Sequence, residues 1–322
     1  MTGIGLPRSR SATWRRRSTG PLCLLLLALA GCAQGSGCAL VKVAEVPLEP
    51  RSRLLTIPVT VNGHAIIMTL DTGGQKSMLS EAAVSRLGIV RDARFITPLI
   101  GIAGGSAHAD ASIDSMSIGG EPISLHRMSV STFGGNGTID GLLGLDILRD
   151  YDLDIDTPKH RLTLYRVRWC EQADPPWDEP ATRITETSTL MNWLQIPFEI
   201  DGTEGTAMVD TGNTTTMITP RMMRRLGLTE AAMANDRILK IHVLAGEDAQ
   251  AHLHRFQTIR IGPMTVHNAS ILVLSKEPPA LGDSRNFGDG FIGLDFLASR
   301  RTWFSIRTGH LYFATDAAAP GH

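Results

Sequence analysis

Cysteine is scarce in this chain: Cys23, Cys32, Cys38 and Cys170 are the only four in 322 residues. That is too few for a fold built on disulfides. Long apolar runs are missing as well. Residues 22–30 form a run of nine, well short of the roughly 20 needed to cross a bilayer as a helix. Neither sign of charge dominates, with 31 basic and 32 acidic side chains, so nothing in the balance points to nucleic acid. The glycine run Gly101-Ile102-Ala103-Gly104-Gly105 lacks the lysine of a phosphate-binding loop and does not lead from a strand into a helix, which argues against nucleotide phosphates. His252 and His254 share one strand face but have no evident third ligand, so they read as a solvated face and no metal is expected.

What the chain does have is a repeat. Asp71-Thr72-Gly73 recurs as Asp210-Thr211-Gly212, 139 residues later. The match runs without gaps over residues 57–89 and 196–228. Each copy starts Ile-Pro, turns at Asn62-Gly63 or Asp201-Gly202, and follows an apolar strand into the motif. Each then reads Met-Leu-Ser or Met-Ile-Thr and closes on Arg-Leu-Gly. A second pair follows, Asp140-Gly-Leu-Leu-Gly-Leu-Asp146 and Asp289-Gly-Phe-Ile-Gly-Leu-Asp295. A unit of roughly 115 residues is too long for a solenoid, so two related lobes are expected.

Local patterns make the lobes mostly β. Alternating residues around Asn62-Gly63 predict a tight hairpin, which puts Asp71 on a loop at a strand end. Ser80 and Thr219 are placed to cap short helices, with Pro220 at the first helical position and Gly88 and Gly227 just past the ends. Two segments centred on Gly101–Gly105 and on Leu244-Ala245-Gly246 read as projecting hairpins. Asp146 and Asp295 are expected to be helix N-caps, and Asp140 and Asp289 to be structural. The amino terminus is different in kind. Five Arg and no acid precede the apolar run, as in an export signal. Without residues 1–31 the chain carries 26 basic against 32 acidic side chains, about −6.

Two Asp-Thr-Gly loops, each followed by an apolar-apolar-Gly segment (Leu142-Leu143-Gly144, Phe291-Ile292-Gly293), resemble the aspartic proteases, and the likeness covers about residues 53 to 314. Two lobes in one chain look like the pepsin plan, and the short lobes with Gly-Leu-Asp endings look more like retropepsin-type bacterial enzymes. The resemblance implies a bilobal acid-protease fold, with two related six-to-seven-stranded β lobes and a cleft between them. It implies an endopeptidase that acts on peptides or proteins with Asp71 and Asp210 as its dyad. Thr72, Gly73, Gly74, Thr211, Gly212 and Asn213 would support the loops, and Gly101, Ile102, Ala103, Gly104, Gly105, Leu244, Ala245 and Gly246 would form flaps over the substrate. Water suffices for the chemistry, with no cofactor, and the working unit is a monomer, an intramolecular pseudo-dimer. Gly74 and Asn213 depart from the Ser, Thr or Ala usual after the motif, so the two Asp are expected to have unequal environments. The rival reading is a catalytically silent envelope lipoprotein that binds peptides in the same cleft.

Leu29-Ala30-Gly31-Cys32 resembles a bacterial lipobox, which implies a lipidated Cys32 and a periplasm-facing, membrane-anchored protein, with Ala33 favouring the outer membrane. Cys38 and Cys170 then remain, as a bridge or as two free thiols. The expected organisation is a signal peptide at 1–31, a tether at 32–52, an N-terminal lobe at 53–166 and a linker at 167–192. A C-terminal lobe at 193–314 and a tail at 315–322 complete it.

Overall fold

A computed structural model describes residues 39–51, 53–101, 104–132, 138–169, 174–185, 193–241, 249–275 and 288–315. The expectations for the signal segment, for all four cysteines and for Ile102, Ala103, Leu244, Ala245 and Gly246 lie outside these residues.

Each lobe grows from one hairpin. In the first, strands Leu54–Val61 and His64–Leu70 pair antiparallel. Their two-residue turn, Asn62 at φ 48° and Gly63 at φ 80°, is the left-handed geometry that matches strand twist. The Asn62 side chain also accepts the Asp114 and Ser115 N–H groups, fixing the turn to the next part of the lobe. The second lobe repeats the device with Gln195–Ile200, Thr203–Val209, Asp201 at φ 46° and Gly202 at φ 79°.

A short strand, Met78–Ser80, is followed by the helix Glu81–Leu87. Ser80 Oγ accepts the Ala83 N–H at 3.0 Å, and Gly88 closes the helix in the left-handed conformation. The second copy has Met217–Ile218 and the helix Pro220–Arg225. There Thr219 sits at the N-cap, but its hydroxyl donates to the Asp289 carbonyl, not to the helix. The crossing strand Gly141–Leu143 runs parallel to His64–Leu70, and Gly290–Ile292 runs parallel to Thr203–Val209. Long hairpins project from both lobes: Arg91–Gly101 with Gly104–Ser112, and Arg237–Ile241 with Ala249–Arg255. The lobe sheets hold ten and nine strands, more than the six or seven expected, because the hairpins and short outer strands join the same ladders.

A third sheet lies across both halves of the sequence. Its order is Ala39–Pro47, Arg161–Arg168, Asp152–Asp156, Arg301–Ser305, His310–Ala314, Ala181–Thr185, antiparallel throughout. This corrects two expectations. The tether at 32–52 and the linker at 167–192 each contribute an edge strand to this sheet. An edge strand is hydrogen-bonded on one side only, so it tolerates the Lys, Glu and Pro that made these stretches read as irregular. Ala44 and Val46 are nevertheless buried, as is Ile184. Arg301 holds the covering segment down. It donates to both carboxylate oxygens of Asp154 at 2.9 and 2.7 Å and to Glu179 at 2.7 Å, and it stacks 4.7 Å from the Trp177 ring centre.

One apolar core runs from the lobes into this sheet, with Leu70, Met68, Val209, Ile292, Phe304 and Phe313 all essentially inaccessible. Each such side chain contributes about 1.5–3 kcal/mol of burial. That core fixes the ends of His64–Leu70 and Thr203–Val209, and the next residue after each is an Asp.

Candidate active site

Asp71 and Asp210 continue their strands by one bond each: Asp71 N–H donates to Leu143 O and Asp210 N–H to Ile292 O, both at 3.0 Å. The two loops then meet through their threonines. Thr72 Oγ1 donates to Val209 O at 2.9 Å and Thr211 Oγ1 donates to Leu70 O at 2.7 Å. In return the Thr72 N–H donates to Thr211 Oγ1 and the Thr211 N–H to Thr72 Oγ1, both at 3.1 Å. Each hydroxyl is at once donor and acceptor, so four bonds cross between lobes and satisfy both threonine N–H groups and both hydroxyls.

That join brings the carboxyls together. A Cβ on Gly73 would stand 2.4 Å from the Asp210 carboxyl carbon, and one on Gly212 would stand 2.6 Å from that of Asp71. These glycines are required by the opposite lobe's carboxyl. Asp71 Oδ1 accepts the Gly73 and Gly74 N–H groups at 2.8 Å each, and Asp210 Oδ1 accepts the Gly212 N–H at 2.8 Å. Asn213 Nδ2 donates to Asp210 Oδ2 at 2.6 Å. Each carboxyl therefore lies against the loop of the opposite lobe. Asp71 is 4% exposed and Asp210 is 7% exposed, so both charges are costly. Burial pushes Asp71 above the usual carboxyl range, opposed by the Gly74 and Gly73 N–H groups. Burial, and then the charge of Asp71, push Asp210 well above it. The two carboxyls therefore titrate as a pair, the second ionisation opposed by burial and by the charge left by the first.

The apolar-apolar-Gly segments brace the loops from behind. Leu145 N–H donates to Gly74 O at 2.7 Å, and Leu294 N–H to Asn213 O at 2.9 Å. Asp146 and Asp295 are not N-caps, which corrects that expectation. The four-residue helices Leu145–Leu148 and Leu294–Leu297 begin at Gly144 and Gly293. A Cβ at either glycine would meet loop backbone at 2.7 or 2.8 Å. The acids sit at the second helical position, inside the first turn, and tie down the Asp-Thr-Gly loops. Asp146 Oδ1 accepts from the Ser77 N–H and hydroxyl, and Asp295 from the Thr216 N–H and hydroxyl. Asp140 and Asp289 are structural as expected. They accept the Ile67 and Thr206 N–H groups and pair with Arg86 and Arg225. His254 bonds Asp236 at 2.6 Å, and among the described residues no cluster of three metal-ligating side chains forms.

Of the expected flap residues, Gly101 pairs with Gly104 and Gly105 with Ile100 along the first projecting hairpin. The second hairpin is described down to the Ile241–Ala249 pair. One contact escaped the sequence reading. Trp193 Nε1 donates to Gly73 O at 2.8 Å, so a residue at the start of the second lobe steadies the loop of the first. A lone Trp outside the repeated motif carries no signal of this kind.

The sequence pattern of the aspartyl protease family matches residues 57–147 and 196–296, once per lobe. Among solved structures, the fold is similar to that of an aspartic proteinase from Irpex lacteus. The TM-score is 0.50 at 15% identity, over 87% of this chain and 99% of that one. A search of curated proteins finds no match. With the family pattern met twice over more than half of the chain, and with two Asp-Thr-Gly loops joined carboxyl to carboxyl between two β lobes, the chain belongs to the aspartyl protease family.

Proposed function

We propose that the protein is an aspartic endopeptidase whose dyad is Asp71 and Asp210. The observation that carries this reading is the pair of buried carboxyls, each set against the glycine of the other lobe's loop across the threonine join. In the cleavage step the ionised carboxylate takes a proton from water as the water oxygen bonds to the peptide carbonyl carbon. The protonated partner gives its proton to the carbonyl oxygen. The resulting diol collapses: the C–N bond breaks, the departing nitrogen takes the proton held by the first carboxyl, and the second recovers one from a diol hydroxyl. No bond forms between enzyme and substrate. Substrate lies extended beneath the two projecting hairpins and pairs with their backbone.

The anchoring expectation belongs to the same proposal. Leu29-Ala30-Gly31-Cys32 at the end of a nine-residue apolar run, residues 22–30, supports export and lipidation at Cys32. No helix among the described residues is long and apolar enough to cross a membrane. Incorporation of a labelled fatty acid into the intact chain, lost in Cys32→Ala, tests it.

Incubating the protein from residue 33 onward with a mixed peptide library between pH 4 and pH 7, with products read by mass spectrometry, tests the enzyme. Asp71→Asn and Asp210→Asn should each abolish cleavage, by about 10³-fold or more, because each half of the proton exchange is indispensable. Cleavage surviving in either single variant overturns the dyad. Peptide binding without cleavage in the unaltered protein selects the silent peptide-binding reading.

A further inference from the structure

The two lobes repeat each other so closely that a difference between their catalytic loops stands out. Asp71 and Asp210 each accept two donors from their own loop, but these are arranged differently. Both donors to Asp71 are backbone N–H groups on Oδ1, from Gly73 and Gly74. Among the described residues no loop group donates to Asp71 Oδ2. A Cβ at position 74 would lie 2.9 Å from that oxygen, so glycine also keeps the space beside it open. Asp210 has one donor on each oxygen, the Gly212 N–H on Oδ1 and the Asn213 amide on Oδ2. The Asn213 N–H turns instead to the Asp210 carbonyl at 3.3 Å, which leaves its side chain to serve the carboxyl.

We propose that residues 74 and 213 make the dyad directional: Asp71, whose Oδ2 accepts no donor from its own loop, takes the proton, and Asn213 is a positioning residue that orients Asp210 as the proton donor to the substrate carbonyl. This rests on the enzymatic reading and adds a fixed division of labour to it. The amide does two things. It pins the rotation of the Asp210 carboxyl, so the proton points into the shared site. It also stabilises the ionised form of a group that burial and a neighbouring charge would otherwise make too weak an acid to release its proton. The other charged groups near the loops are already committed. Asp146 and Asp295 bond Ser77 and Thr216, and Asp140 and Asp289 pair with Arg86 and Arg225. Lys76 is the only cation within residues 71–77 or 210–216.

The test is the pH profile of kcat in Asn213→Ala and Asn213→Ser. The backbone bonds of residue 213 survive both changes. Loss of the amide should move the alkaline limb, which reports the second proton of the pair, to higher pH and lower kcat with little change in KM. The acid limb should stay in place. Serine, which restores a donor, should bring the alkaline limb back. A profile in which neither limb moves, or both move together, overturns the proposal. Carbon-13 NMR titration of the Asp side-chain carboxyls reads the same shift without turnover. If the unaltered protein cleaves nothing while the Asn213→Ala titration still shows the later step moved upward, the enzymatic reading fails and the asymmetry stands. If cleavage is normal and the later step is unmoved, the asymmetry fails alone.

Discussion

Thr72 and Thr211 illustrate how much one hydroxyl can carry. Replacing Thr72 with Val keeps the shape but leaves Val209 O without a donor and the Thr211 N–H without an acceptor, both buried at the lobe join. Unfolding in urea should show a loss of about 2–4 kcal/mol, against under about 1 for Thr72→Ser, since orphaned buried groups cost more than a made bond gains. The dyad has a stability signature as well. Asp210's raised carboxyl means the folded state binds its proton more tightly than the unfolded chain. That contribution is present in full below the ordinary carboxyl value of 3.8 and is lost as pH rises through the folded-state value. Asp210→Asn removes the titration, so its Tm should exceed that of the unaltered protein at pH 7 and match it near pH 4. An unchanged difference at both pH values would contradict the buried, proton-sharing pair. At this scale the sequence was informative where chemistry repeats. Asp-Thr-Gly written twice located the two carboxyls that the lobes bring together, and the Gly74/Asn213 mismatch pointed to the difference between their donors. Asp146 and Asp295 were legible as structural but not in role, because their partners Ser77 and Thr216 are 69 and 79 residues away.

Among elements, those with their own local code were legible and those defined by a distant partner were not. Asn62-Gly63, Asp201-Gly202, Ser80 and Pro220 each specify backbone geometry within a few residues, and the hairpins and helices form where they indicate. Ala39–Pro47 and Ala181–Thr185 have no such code. Their strand character comes from the exposed edges of Arg161–Arg168 and His310–Ala314. A single face of Ala39–Pro47 is apolar, and Val46 there lies 2.9 Å from where a Cβ on Gly119 would stand. Val46→Asp should therefore cost about 3 kcal/mol or more, the scale of a charge forced into an apolar contact, while Lys42→Asp, on an exposed position of the same strand, should cost under about 1. Equal costs, read from denaturant midpoints, would mean that this strand is a surface decoration.

Taken whole, the molecule is two repeats completed by a sheet that neither repeat owns. Residues 39–168 supply three consecutive strands of it and residues 181–314 the other three, meeting at the pairing of Asp152–Asp156 with Arg301–Ser305. The duplication was readable from the sequence, but this closure was not, since its strands come from four separate stretches with no shared pattern. The same arrangement divides the chain at one place. Trp169, 74% exposed, ends the first half's contribution, and Asp174, bonded to Tyr312, already belongs with the second. Two fragments separated between these residues should each be inert and regain cleavage on mixing, in a one-to-one complex detectable by size exclusion. Activity in either fragment alone would contradict the shared site. Because each fragment carries one carboxyl and half of the threonine lock, such a pair reports the encounter of two molecules, its output present only when both inputs are.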